Sequence, residues 1–252
     1  MLKQNSPSQS SSAGLFFLGF FLAAAVIASA IILSGTVKQI KTSNQTIRVK
    51  GYSEEKITSD MAVWNGSFVS RSDDLGEAYE KLQSDLAKIQ KYLEGYGISR
   101  EMVDVSSVNT MIRYRRNDKG APTNEIERYD LEQTVSLRSS DVELVSKLSK
   151  ESTSLIKEGI EFISNPPRYY YTKIDEMKIE LLGKATKDAY ERAKQLAENS
   201  GSEVGGLASA TQGVFQITPA FSTEVQDYGM YDTSTIEKSI KAVVTVEYHI
   251  TK

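Results

Sequence analysis

Apolar and polar positions change period several times along the chain, and each period predicts an element. Residues 15–33, LFFLGFFLAAAVIASAIIL, form 19 consecutive positions without a charge. A helix of about 20 apolar residues crosses a hydrocarbon core. A helix apolar on every side does not suit the surface of a globular domain. Beyond it, residues 46–51 (TIRVKG) alternate with period two, as a strand does. Residues 62–70 alternate as well. Ala62, Trp64, Gly66 and Phe68 share one face, while Met61, Val63, Asn65 and Val69 share the other. Apolar side chains on both faces predict a central strand.

The period then becomes helical. Leu75, Tyr79, Leu82, Leu86, Ile89, Leu93 and Tyr96 recur at alternating spacings of four and three. Asp73 or Asp74 suits the N-cap, and Gly95 and Gly97 suit the end. Such a seam packs a helix on a sheet; a subunit contact is the sharper alternative, although three heptads are short for a coiled coil. Residues 103–114 and 126–138 read as two strands. The turn-forming Asp118, Gly120 and Pro122 lie between them. Arg113, Arg115 and Arg116 face Glu125 and Glu127 across this hairpin, which predicts cross-strand charge pairing. Ser140 to Glu143 fits a capping box. The helix after it runs to about residue 157, with Val145, Leu148, Ser152 and Leu155 on one face.

Residues 160–164 form a short strand, interrupted by Asn165, Pro166 and Pro167, that resumes over residues 168–173. Tyr169 and Tyr171 fall on one face there and Tyr170 on the other. A long helix spans about residues 174–200. Met177, Leu181, Ala185, Ala189, Ala193 and Ala197 recur every four positions, a mostly alanine stripe that allows close approach. Gly201 is its expected C′ residue. Residues 205–217 read as one irregular strand, residues 219–235 as a long loop, and residues 236–250 as the closing strand. The order β-β-α-β-β-α-β-α-β-β predicts an α+β fold, an antiparallel sheet or sheets with helices on one face. A transmembrane helix precedes it.

Four segments follow: a disordered tail over residues 1–14, the apolar segment over 15–33, a linker over 34–45 and one α+β domain over 46–252. Ala28-Ser29-Ala30 supplies a signal-peptidase pattern, yet the apolar run continues through Ile31, Ile32 and Leu33. Its length favours an uncleaved anchor; a cleaved signal is the alternative. Lys38 and Lys41 follow the segment and only Lys3 precedes it, which mildly favours a cytoplasmic C-terminal side. Long domains translocate largely regardless of such charges.

Charge and composition narrow the chemistry. Thirty Lys and Arg stand against 33 Asp and Glu, so nothing in the balance calls for nucleic acid as a partner. Cysteine is absent and His249 is the one histidine. Thiolate sites, disulfides and histidine-rich zinc sites are thereby excluded or nearly so. No G-x-S-x-G elbow, Rossmann fingerprint or EF-hand loop occurs. Gly183-Lys184-Ala185-Thr186 resembles the end of a phosphate loop, but Lys178 holds the place of its first glycine and the segment lies in a predicted helix. His249 sits on the more polar face of the last strand with Thr245 and Glu247. The expectation is therefore a protein without catalytic residues or cofactor.

Two candidate surfaces remain. The loop at 219–235 carries Glu224, Asp227 and Asp232, a weak candidate set for a metal such as calcium. It also carries Tyr228 and Tyr231, which with Tyr169 and Tyr171 are candidates for interaction.

Several stretches resemble the SIMPL-domain family of bacterial envelope proteins. They are Ile47-Arg48-Val49-Lys50-Gly51-Tyr52, Ser59-Asp60-Met61-Ala62-Val63-Trp64 and Gly213-Val214-Phe215-Gln216-Ile217-Thr218. Tyr228-Gly229-Met230-Tyr231-Asp232-Thr233-Ser234 and Ile236-Glu237-Lys238 continue the likeness. It covers about residues 46–252. Many members carry Pro-Asp where this chain has Ser59-Asp60. The resemblance implies an α+β, extracytoplasmic, non-enzymatic domain, in a family where some members form ring-like oligomers and some are linked to oxidative or envelope stress. The combined expectation is a homo-oligomeric scaffold or stress-related module. It is held in the inner membrane by residues 15–33 and faces the periplasm or exterior, or is released there if cleaved. The alternative is a small-ligand or metal-binding envelope module that uses the loop.

Overall fold

The structure, a computed structural model, describes residues 11–43, 45–224 and 226–251. The described residues begin with α1 (Ser11–Ser43). Phe16–Ser34 within it is long and apolar enough to cross a membrane, and none of it is buried against the rest of the chain. Helix therefore extends on both sides of the apolar run, over residues 11–14 of the expected tail and 34–43 of the expected linker. Residues 1–10 of that tail lie outside the described residues.

The elements that follow are β1 (Thr46–Thr58), β2 (Met61–Ser72), α2 (Leu75–Glu94), β3 (Val103–Val105), β4 (Asn109–Arg116) and β5 (Pro122–Ser139). Next come α3 (Val142–Glu151), β6 (Glu161–Ser164), β7 (Arg168–Tyr170), α4 (Ile174–Asn199) and β8 (Glu203–Gln212). The chain closes with β9 (Gln216–Pro219), β10 (Met230–Tyr231) and β11 (Glu237–Thr251). The fold is α+β, as the order of periods predicts. It divides into two units, and the chain passes between them within β1, α4 and β11.

The larger unit comprises residues 52–184 and 213–243. Its six-stranded antiparallel sheet runs β3-β5-β2-β6, with β4 beside β5 and β7 beside β2. β2 is central, as its two half-apolar faces predict. Trp64 lies opposite Leu137 on one side, and Phe68 lies opposite Phe162 on the other. Alternation puts Ala62, Trp64 and Phe68 on one face. That face meets Leu82, Ile89 and Leu93 of α2 and Val145 and Leu148 of α3 in one buried core. The indole of Trp64 donates to Ser164 Oγ at 3.0 Å, so its polar edge is satisfied inside. Asp74 caps α2 by accepting from the Glu77 N–H at 3.0 Å, and Asp141 caps α3 through the Leu144 N–H at 2.9 Å.

Three local departures have physical causes. In α2 the buried positions are Ala78, Leu82, Asp85, Ile89 and Leu93, while Leu75 and Tyr79 are exposed. A straight helix keeps a period of 3.6, so a seam of period 3.5 drifts off the packed face. Asp85 is carried inward by that drift and is met by Lys81 Nζ at 2.6 Å and Lys88 Nζ at 3.7 Å. The strand expected over 103–114 is split. The Ser106 N–H still donates to the Thr134 carbonyl at 2.9 Å, but the return bond from the Thr134 N–H goes to Ser106 Oγ at 3.0 Å and Gln133 donates to the Ser106 carbonyl at 2.8 Å, so side chains take over part of the ladder there. The helix expected to reach residue 157 tightens to 3-10 geometry over Ser152–Glu158. Hydroxyls of Ser149, Ser152 and Thr153 bond back to carbonyls three residues earlier, which competes with regular helix.

The smaller unit comprises residues 1–51, 185–212 and 244–252. The alanine stripe of α4 is fully used: Ala185, Ala189, Ala193 and Ala197 are buried. Their small size lets the helix backbone lie directly on β1 at Gly51. A Cβ there would sit 1.9 Å from the Ala185 carbonyl oxygen and 2.7 Å from the Ala189 Cβ. β11 turns Val244, Val246 and Tyr248 inward and pairs antiparallel with β8. The predicted irregular strand over 205–217 resolves into β8 and β9, which pair successive stretches of β11. Glu247, on the other face, gathers Thr46, Arg48 and Ser209.

The contact at Gly51 yields a prediction. Gly51→Ala forces strand and helix apart and lowers the stability of the full chain by about 1–3 kcal/mol, the ordinary cost of overpacking. Thermal unfolding in detergent reads this as a drop in Tm, whereas Gly183→Ala, which meets nothing within 4 Å, leaves Tm unchanged or raises it.

Candidate functional site

The loop between β9 and β11 is long, but it is tied down at several points. Gln216 starts β9 with its side chain turned inward and almost fully buried. Its amide nitrogen donates to the Gln226 carbonyl at 2.6 Å, and its amide oxygen accepts the Gln226 N–H at 3.4 Å. One buried amide thus reproduces a strand-like pair of bonds. Gly229, at φ 86°, turns the chain back, and β10 then runs parallel to β9, with Met230 opposite Gln216 and Tyr231 opposite Ile217.

Asp232 organises the second half of the loop. Its Oδ1 accepts the Ser234 N–H at 2.9 Å and the Ser234 hydroxyl at 2.7 Å. Its Oδ2 accepts the Thr235 N–H at 3.2 Å, the Thr235 hydroxyl, and the Lys238 ammonium at 3.1 Å. Lys238 is buried, with only 1% of its side chain exposed, and also donates to the Thr235 carbonyl. Burial pulls the Asp232 carboxyl up, but hydrogen bonds from Thr235 and Ser234, then Lys238, outweigh it and hold the group far below the usual carboxylate range. Burial pushes the Lys238 ammonium down, and Asp232 opposes that shift. The pair is ionic and satisfied.

A second polar centre supports the first half of the loop. Glu54 of β1 accepts from the Ser239 and Tyr52 hydroxyls. These bonds hold its carboxyl below the usual range. Lys241 lies 3.9 Å from Glu54 and donates to the Ser222 carbonyl at 2.7 Å. Beside it, Phe221 adopts φ 68°, the single left-handed non-glycine position among the described residues. Bulky residues seldom occupy that region without a surrounding constraint. The residue is 84% exposed, and Lys56 Nζ stands 4.3 Å from its ring centroid.

The predicted site residues separate in this geometry. Tyr228 is exposed to the same degree as Phe221, and Tyr231 is half exposed. Tyr169 belongs to the hydrophobic core, and its N–H donates to the Thr233 carbonyl at 2.8 Å, so it supports the loop from below. Tyr171 lies just past the end of β7 and is half-buried. Glu224 and Asp227 are exposed while Asp232 is committed internally. No group of three or more His, Cys, Asp or Glu is placed to hold a metal among the described residues. Phe221 is additional to the sequence reading, and Gln216 and Lys238 enter that reading only through the family likeness. Lys238 was accessible to it, because it shares the inward parity of β11 with Ile240 and Ala242.

The buried pair predicts a pH dependence. A carboxyl lowered in the folded state contributes stability that is complete above its unfolded value, near 3.9, and is lost as pH falls below it. The chain therefore unfolds more readily below about pH 4, and Asp232→Asn flattens that part of the pH–Tm profile. Lys238→Met leaves Asp232 without its counter-charge and costs on the order of 3 kcal/mol by thermal unfolding.

The sequence profile of the SIMPL family, described as a protein of unknown function (DUF541), matches residues 47–248. No curated protein matches the chain. The matched span contains every element from β1 to β11 apart from terminal residues, and with it the clamped loop and the Asp232–Lys238 pair, so the chain belongs to the SIMPL family.

Proposed function

We propose that the chain is a non-enzymatic, membrane-anchored module whose domain faces the outside of the cytoplasmic membrane and self-associates into an oligomeric scaffold. The observation that carries this reading is the presentation of Phe221 and Tyr228. Both residues are 84% exposed on a loop that part-buried polar bonds hold in place. Phe221 meets Lys56 on one side, and the rest of its surface, with that of Tyr228, is open to a partner. A fixed display also reduces the ordering cost of association.

Anchoring rests on Phe16–Ser34, whose length and composition suit a membrane span. The external placement rests on the family resemblance and on the indifference of long domains to flanking charge. The same resemblance ties the module to envelope or oxidative stress. The non-enzymatic reading is supported by chemistry already spent: Asp232, Lys238 and Glu54 are bound to structural partners.

Light scattering of the full chain in detergent, corrected for bound detergent, tests assembly. The expected result is a mass of several protomers that persists on dilution. The double variant Phe221→Ala, Tyr228→Ala is expected to at least halve that mass while leaving Tm within a few degrees. A monomer at all concentrations contradicts the scaffold reading.

A further inference from the structure

β4 and the first half of β5 form a largely exposed two-stranded ribbon. Arg113 stands directly opposite Arg128 on it. Like charges in that position repel. The counter-charge comes from Asp130, two residues on and therefore on the same face as Arg128. Its carboxylate is nearly buried, at 3% exposure, and accepts Arg113 Nε and Arg128 Nε at 2.8 Å each. Arg71 Nε approaches from β2 at 3.5 Å, and that guanidinium is also paired with Glu161. Burial pulls the Asp130 carboxyl up, but the hydrogen bonds from Arg113 and Arg128 outweigh it and keep the group ionised.

This bonding pattern leaves donors over. A guanidinium carries five N–H groups. Asp130 takes only the Nε–H of Arg113 and of Arg128. Among the described residues the hydrogen bond that each gives Asp130 leaves from Nε, and none leaves from a terminal nitrogen of either. Both residues line a groove of about 340 Å³ together with Arg116, Tyr114, Ile112 and Glu127. Arg116 is steadied by donating to the Gly120 carbonyl at 2.8 Å. Three arginines thus outnumber one carboxylate on the groove wall. Two of them are oriented from behind by a buried acid.

The geometry points to an oxyanion site, in which the terminal N–H groups of Arg113 and Arg128 take a phosphate group on the β4–β5 ribbon. Paired guanidinium forks match the several acceptor oxygens of a phosphate. Their fixation by Asp130 reduces the ordering cost of binding. Glu127 opposes the anion and sets a limit on affinity. The phosphate is free or belongs to a lipid headgroup, and the chemistry of recognition is the same.

Calorimetry on the full chain in neutral-lipid nanodiscs separates these sources. Inorganic phosphate is titrated in one arm and a short-chain phosphatidic acid in the other, at constant ionic strength. Saturable heat with phosphate supports a free-anion site; saturable heat with the lipid alone supports a headgroup site. The double variant Arg113→Lys, Arg128→Lys keeps both charges for Asp130 but removes the forks, and weakens binding tenfold or more while Tm stays within a few degrees. Glu127→Gln tightens binding at least twofold, a gain that misfolding does not produce. Absence of saturable heat in both arms, or undiminished binding by the double lysine variant, overturns the assignment.

Discussion

The Lys238 ammonium buried against the Asp232 carboxylate is the interaction on which the loop after β9 depends. Removing two charges from water is costly, and the cost is offset only when every donor and acceptor is satisfied. Here Ser234, Thr235 and the Thr235 carbonyl complete the set. The chain around the pair is then a rigid connector. The Thr233 carbonyl receives the N–H of Tyr169, and the Ile236 carbonyl receives both the N–H and the hydroxyl of Ser59. Asp60, the next residue, accepts the N–H and hydroxyl of Thr172. The turn between β1 and β2, the end of β7 and the start of β11 are thereby joined around one ion pair. A proline at position 59 would have no N–H to give Ile236. Serine restores one donor on the backbone and adds a second from its side chain.

Local periodicity carried most of the fold. The alanine stripe of α4 was legible because Ala185, Ala189, Ala193 and Ala197 are each small and all buried. The centrality of β2 was legible because both its faces are apolar. The register of α2 was less so, since a few turns cannot distinguish a period of 3.5 from 3.6. Breaks at Ser106 and Ser152 came from hydroxyls competing for backbone groups, and a serine in a sequence does not announce whether its hydroxyl bonds to solvent or to the chain.

The site was less legible than the fold, for reasons of distance. The loop and its tyrosines were visible as a segment. Its supports were not, because Gln216, Glu54 and Lys241 act on residues far from them in sequence. Phe221 at positive φ had no signal, since glycine and asparagine are the residues that mark that conformation. The hairpin arginines were expected to pair with Glu125 and Glu127. Arg115 does approach Glu125 at 3.5 Å, whereas Arg113 turns to Asp130, an acid buried out of phase with the inward Leu131, Gln133, Val135 and Leu137 of β5.

Exposed aromatic rings on a clamped loop and guanidinium forks oriented by a buried acid share one logic. In each, buried polar bonds fix groups whose outward sides are unused. The central claim is that the loop is held in one conformation before any partner arrives. Hydrogen–deuterium exchange tests it most directly, on the full chain loaded at one protomer per nanodisc. The bonds from the Ala220, Gly229 and Asp232 N–H groups to Glu237, Gln226 and Ile217 carbonyls predict slow exchange at those three amides, with protection lost in Lys238→Met at Asp232. Exchange of all three at the rate of an unstructured peptide would contradict the account.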